Sequence, residues 1–347
     1  MYSCHCQTPK EEEKDFPPLS LAINQGHLEC VRLFLGDPHV EVNQTSSDEG
    51  FTPLNLAVQL GFTEGVKLLV EDVRTDVNLG TREEGFTPLF MAVFEGHIDC
   101  FDVLLHDTRT NVNQASKDIG CLTTPLFFAA GLGNSLMLQK LLGHPHIDVH
   151  QPSTVEKSFP LIVASRAGHI ECVKPLLFFN YLDIRLNCQN VSGLTPLIAS
   201  AMKGHADVVE LLLQMNNLSC LVDISDDWRR MVITCLLCNT IVSTKLSMLL
   251  WKNIFSYLQP RLNVNQTLCN KTSTFVYPPG TFVYPPGASA LWMAAANGHE
   301  DCVEHLLKEA DVDINQTDAS GWSPVQMAQF FGHSKCVLLF EQQKARF

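Results

Sequence analysis

Apolar positions along this chain fall into short runs that alternate in a fixed order with Gly and with polar segments. A first run opens on a small polar residue or proline: PPLSLA from Pro17, TPLNLA from Thr52, TPLFMA from Thr87, TPLFFA from Thr124, FPLIVA from Phe159, TPLIAS from Thr195, SALWMA from Ser289 and SPVQMA from Ser323. After three more residues comes Gly, usually with His behind it (Gly26-His27, Gly96-His97, Gly168-His169, Gly204-His205, Gly298-His299, Gly332-His333), and then a second apolar run such as LECVRLFL from Leu28. A polar stretch ending in Val-Asn or its like closes the unit, as in DPHVEVN, DVRTDVN, DTRTNVN, HPHIDVH and EADVDIN. The first runs start 35, 35, 37, 35, 36, 94 and 34 residues apart, and a period of that size predicts a stack of small units in place of one wound core.

Each part of the unit has a physical reason for its place. Thr or Ser ahead of the run is an N-cap, and the Pro after it loses nothing because its N–H would be unpaired there. Leu54 with Ala57, Leu89 with Ala92 and Leu126 with Ala129 share one helix face, where the small Ala admits a close neighbour. Gly supplies a left-handed helix end, and the second run predicts a second amphipathic helix. The Val-Asn segment fits a turn or hairpin reaching toward the next unit.

This helix, turn, helix, finger unit resembles the ankyrin repeat, from Phe16 to about Phe340. The resemblance implies an all-α repeat solenoid of helix-turn-helix units joined by β-turn or hairpin fingers. The family's usual His after the Thr-Pro-Leu is replaced by Asn55, Phe90, Phe127, Ile162, Ile198, Trp292 and Gln326, so these positions are expected to be more apolar than usual. The period also exceeds the family's roughly 33 residues because the fingers are longer. Residues 1–15 are expected to be an acidic N-terminal cap or tail, and 16–265 to hold repeats 1–7. The seventh, about 223–265, is degenerate: WRRMVITCLLCNTIVSTKLSMLL from Trp228 has the length of two short helices and precedes RLNVNQ from Arg261. Residues 266–287 form a Pro-rich loop with TFVYPPG twice, and 288–347 hold repeats 8 and 9 with a C-terminal cap, nine units in all.

A formal net charge of -13, with no Lys/Arg run, argues against a nucleic-acid surface. The apolar stretch Met231 to Trp251 is long enough to suggest a membrane span, but it contains Asn239 and Lys245 and falls in phase with a repeat. The opening residues hold no apolar secretion signal, so a monomer in the cytoplasm with reduced thiols is expected. Of the 13 cysteines, Cys30, Cys100, Cys172, Cys302 and Cys336 share one slot in the second helix and are expected to be buried small hydrophobes, too far apart for disulfides. The Cys235/Cys238 pair and Cys4-His5-Cys6 lack partners at zinc-site spacing, so no metal is expected. The Gly-His histidines are read as bonding to backbone at the turn. No nucleophile, base and orienting group stand outside the repeat slots, which points to no enzyme and no cofactor.

The resemblance implies a protein-interaction scaffold whose partner lies along the concave face of finger tips and first helices. Carried onto this sequence, the positions after the finger Gly are Phe51, Phe86, Leu194 and Trp322, and those before the turn Gly include Gln59, Leu60, Phe94, Glu95, Arg166, Met202 and Lys203. They are unusually apolar, which marks either a binding surface or packing on the neighbouring unit. The acidic balance leaves a basic partner open, and the acidic fingers around Asp48-Glu49 and Glu83-Glu84 are read first as solubilising charge. The family resemblance further implies that Asn43, Asn113 and Asn315 match a setting in which ankyrin asparagines are hydroxylated. Two alternatives stay open: a substrate-recognition adaptor of a larger complex such as a ubiquitin ligase, and a scaffold tethered to a membrane through Met231 to Trp251.

Overall fold

The computed structural model describes residues 17–46, 50–116, 123–154, 156–179, 186–217, 263–268 and 285–344. The described residues form sixteen helices in eight antiparallel pairs. In chain order these are α1 (Pro18–Asn24), α2 (Leu28–Gly36), α3 (Pro53–Gln59), α4 (Thr63–Glu71), α5 (Pro88–Glu95), α6 (Ile98–His106), α7 (Pro125–Leu132), α8 (Ser135–Leu142), α9 (Pro160–Ala167), α10 (Ile170–Phe179), α11 (Pro196–Lys203), α12 (Ala206–Asn217), α13 (Ala290–Ala296), α14 (Glu300–Leu307), α15 (Pro324–Phe330) and α16 (Ser334–Lys344). They fall into two compact subdomains, 1–129 with 136–155, and 130–135 with 156–347.

The helix starts follow the cap chemistry. Thr52, Thr87, Thr124, Thr195, Ser289 and Ser323 each accept a hydrogen bond from the backbone N–H three residues on, at 3.1–3.4 Å. Ser323 completes a capping box with Gln326, whereas Pro17 and Phe159 cap with no side chain. The paired Leu and Ala faces are core: Leu54, Ala57, Leu89, Ala92, Leu126 and Ala129 are at most 1% exposed. In the altered His slot, Phe90, Ile162, Ile198 and Trp292 are buried as expected, while Gln326 is exposed. Asn55 is fully buried and donates from Nδ2 to the Leu79 carbonyl at 3.0 Å.

Units register on one another through two repeated devices. The histidine rings reach past their own turn: Nε2 of His97, His169, His205, His299 and His333 lies 3.1 Å from the carbonyl oxygens of Gln59, Gly131, Arg166, Met202 and Ala296 in the unit before. A carbonyl only accepts, so Nε2 carries the hydrogen. In the fingers, the Asn43 amide donates to the Arg74 carbonyl at 2.8 Å and accepts from the Asp76 N–H at 2.9 Å. Asn78, Asn113 and Asn265 repeat this clamp on the next finger. Fingers are closed by backbone bonds such as Ser46 N–H to Phe51 O (2.9 Å), Thr81 N–H to Phe86 O (3.1 Å) and Asp318 N–H to Trp322 O (3.0 Å). Among the described residues these are turns rather than strands, with one isolated bridge, Thr267 to Ser289.

Two expectations are corrected. The unit that starts at Ser289 packs directly on the unit that starts at Thr195: α13 lies against α11, α14 against α12, and His299 bonds to Met202. Among the described residues no other helix pair stands between them. The Asn187 Oδ1 accepts from the Asn263 N–H at 2.8 Å and Asn265 clamps Asp311 and Asp313, so residues 263–268 are the finger of the sixth unit. The stretch read as the degenerate repeat, with Met231 to Trp251, and most of the TFVYPPG loop lie outside the described residues. The second correction concerns Cys30, which is exposed where Cys100, Cys172, Cys302 and Cys336 are buried. Cys100 is covered by the preceding unit, with Thr63 Oγ1 at 3.5 Å from its sulfur. No helix precedes α2's unit among the described residues to cover Cys30 in the same way.

Candidate partner-binding face

The residues singled out in the first subdomain converge. Phe51 and Phe86 stand at the foot of two successive fingers, each just after a Gly with positive φ (66° and 65°) that turns the chain back toward the next first helix. Phe86 is fixed further by its N–H, which donates to Thr81 Oγ1 at 3.1 Å. Gln59 closes α3, and Phe94 and Glu95 close α5, one unit along. Together with Glu83, Glu84 and Met91 these five line a pocket of about 310 Å³.

The wall of the pocket is an aromatic stack. Phe86 stacks on the buried Phe90 with ring centroids 4.7 Å apart and leans on Phe94 at 5.6 Å. Phe94 stacks on Phe128 of the next unit at 5.5 Å, and Phe90 meets Phe128 at 5.0 Å. Phe94 is nevertheless 46% exposed. The stack therefore has two sides: one packs between units and the other faces the pocket. Three carboxylates line the same space, and no Lys or Arg does. Glu84 is steadied by Thr81 Oγ1 at 3.3 Å. Among the described residues none of the three carboxylates is in an ion pair.

The remaining positions are dispersed. Leu60 is 47% exposed and does not line the pocket. In the second subdomain Arg166 is half-buried, its carbonyl holds His205 and its guanidinium lies 3.8 Å from Glu156. Met202 is half-buried and Lys203 exposed. Trp322 is 42% exposed, its ring edge-on to Phe330 at 5.7 Å, and its carbonyl accepts from Trp292 Nε1 at 3.0 Å. Leu194 is a correction: at 8% exposure, with its N–H held by Asn190 Oδ1 at 2.9 Å, it packs inward and offers a partner almost nothing. Of the asparagines, Asn43 and Asn113 hold the next finger through both amide atoms, and the Asn315 N–H donates to Asp313 Oδ1 at 3.0 Å.

Sequence reasoning passed over Met91 and read Glu83 and Glu84 first as solubilising charge, with contact to a basic partner as the alternative. The available signal was their position two and three residues before Phe86, which puts both acids on the finger whose foot is aromatic. It also missed the Asp72–Arg74 and Asp107–Arg109 pairs of the DVR and DTR segments. Arg74 bonds Asp72 at 2.6 Å and reaches back to the Leu35 and Asp37 carbonyls at 2.7 and 3.0 Å, closing the end of α2. The guanidiniums hold the Asp72 and Asp107 carboxyls below the usual carboxylate range.

A family model described as ankyrin repeats in three copies matches residues 3–81, 19–118, 126–226 and 258–346. The chain belongs to the ankyrin-repeat family. Its fold is that family's all-α repeat, and ankyrin repeats are in general protein-interaction modules. The chain is also similar to the human transient receptor potential cation channel subfamily A member 1, 38% identical over 96 residues. That stretch is 27% of this chain and 8% of the channel protein, so the chain covers a small part of that relative's length. Among the described residues of this ankyrin chain no helix is long and apolar enough to cross a membrane, and no group of three or more His, Cys, Asp or Glu is placed to hold a metal ion.

Proposed function

We propose that this ankyrin chain is a non-enzymatic scaffold that binds a partner protein along the face shared by finger tips and first helices, with Phe51, Gln59, Phe86, Phe94 and Glu95 as its centre in the first subdomain. The observation that carries the reading is the pocket itself. Its walls come from two adjacent repeats, and it keeps a large aromatic side chain in solvent where burial would stabilise it by about 1.5–3 kcal/mol. Leu60, Arg166, Met202, Lys203 and Trp322 extend the same positions along the repeats. The buried slot thiols support a reducing, cytoplasmic setting, and the chain is taken as a monomer with no nucleic-acid ligand. Hydroxylation of Asn43, Asn113 and Asn315 belongs to the same proposal, and peptide mass spectrometry of the protein from cells reads it as an added oxygen on each.

The test compares proximity labelling by the parent chain with labelling by Phe94→Ala/Glu95→Ala and by Leu33→Ala. Leu33 is 77% exposed on α2, among the second helices. The expected outcome is loss of the principal labelled proteins with the first variant and their retention with the second. Melting curves accompany both, because the Phe94 stack contributes to cohesion. An unchanged set with a folded Phe94→Ala/Glu95→Ala chain overturns the reading.

A further inference from the structure

Resting on that reading of the face, we propose that the pocket between the second and third repeats takes an arginine side chain from an extended segment of the partner. Two independent features of the lining meet in this one chemistry. Phe51, Phe86 and Phe94 supply aromatic rings, which attract a cation through their quadrupole, and guanidinium more often than ammonium. Glu83, Glu84 and Glu95 supply anionic oxygen from the finger on one side and the end of α5 on the other. A planar, five-donor guanidinium is able to lie against a ring and bond carboxylates at its edge at the same time, which a compact ammonium does less well.

The pocket holds no basic side chain of its own to neutralise these acids. A cation that enters meets three carboxylates that, among the described residues, have no ion pair to give up. An acidic or neutral apolar anchor would leave the carboxylates unpaired and partly desolvated, which disfavours it. About 310 Å³ is at the lower end of the size of small-ligand pockets, enough for one long side chain with its stem along Met91 and Gln59. The net charge of -13 steers basic segments toward the chain in general, and the pocket selects among them.

The probe is a random dodecapeptide library displayed on phage, selected on the full chain. Enriched peptides carrying a shared arginine are expected, and the best of them is then made synthetically and titrated by fluorescence polarisation. Replacing its arginine with citrulline, which keeps the shape and removes the charge, is expected to weaken binding tenfold or more, and replacing it with lysine to weaken it severalfold. Glu83→Gln/Glu84→Gln/Glu95→Gln keeps the size of each side chain and leaves the aromatic stack in place. It should weaken the arginine peptide tenfold or more with an unchanged melting temperature. Enriched peptides with no shared arginine, or arginine peptides that bind the glutamine variant equally well, overturn the inference. If such peptides still lose binding on Phe94→Ala, the face stands and only the arginine assignment falls. If no selected peptide depends on Phe94 or on the glutamates, the inference and the reading beneath it both fall.

Discussion

The turn glycines show how a single residue serves two units. All of those resolved have positive φ, so any side chain there carries a left-handed penalty of roughly 1–2 kcal/mol. At Gly133 a Cβ would also stand 2.6 Å from Nδ1 of His169, while at Gly96 nothing lies within 4 Å. Gly133→Ala should therefore cost more than Gly96→Ala in urea denaturation, and equal costs would show that the ring yields freely. Lys157 presents the converse case: it fills the finger-glycine slot with φ 51°, and Lys157→Gly should stabilise the second subdomain by up to about 1 kcal/mol. The slot cysteines divide by coverage. Burial pushes the Cys172 and Cys302 thiols up to about 11 and about 12, so neither is nucleophilic at neutral pH. Maleimide labelling of the native chain, mapped by mass spectrometry, should modify Cys30 and spare Cys172 and Cys302 until denaturant is added.

At the scale of elements, cohesion passes from unit to unit through polar groups that reach backbone. The His299 ring joins α13's turn to α11, and its pKa is lowered, chiefly by burial, with His205, His333 and Lys203 adding in the same sense. Because the folded value lies below the unfolded one near 6.5, the unfolded chain binds the proton more readily. The contribution is complete above the unfolded pKa and is lost as pH falls from there through the folded pKa. Denaturation at pH 7.5 and pH 5 should show that loss, and His299→Gln should shrink the difference between the two. A variant with the full pH dependence would place its origin elsewhere, first of all in His144, whose pKa burial lowers in the same sense; the Asp72 and Asp107 pairs lose their stabilisation only at pH values below this interval. The Arg74 bonds to two carbonyls of the preceding unit are the charged equivalent of this link. Arg74→Ala should lower the urea midpoint by removing the bonds to those carbonyls and the guanidinium from Asp72, which keeps only the residue-74 backbone N–H.

At the scale of the whole molecule, the order of units in space departs from their order in sequence length. In the second unit the clamping Asn78 comes seven positions after the end of α4 at Glu71, whereas Asn265 comes 48 positions after the end of α12 at Asn217. Since α13 packs on α11 and Asn265 holds the next finger, that stack is expected to form without the residues between. Replacing 221–260 with a short Gly/Ser linker should leave the helical circular dichroism of the remaining units and their cooperative unfolding intact. Asn265→Ala, in contrast, should destabilise the second subdomain. Collapse of the excised chain would show that the segment contributes to the core.

The sequence by itself determined the unit and most of its neighbours. Caps, turn glycines and the Leu–Ala face act within a few residues, so their spacing alone placed helices at Thr52, Thr87, Thr195 and Ser289 and buried the right sides of them. It also brought Phe51, Gln59, Phe86, Phe94 and Glu95 to one place, because a constant period carries a position in one repeat to the same position in the next. What depends on contact between units was decided only in three dimensions. The histidines were read as bonding to backbone at the turn, and the structure adds that this backbone belongs to the unit before, 37 to 97 residues away. Leu194 and Cys30 share slots with Phe86 and Cys100 and differ from them in burial, because exposure is set by the neighbouring side chains and not by the slot. The seventh unit was inferred from length and apolar content and lies outside the described residues; which helices pack side by side was decided in three dimensions, where α13 lies against α11. To the group that the period brought together the pocket adds Glu83, Glu84 and Met91, and only packing decides that the acidic finger and the aromatic helix end border one space.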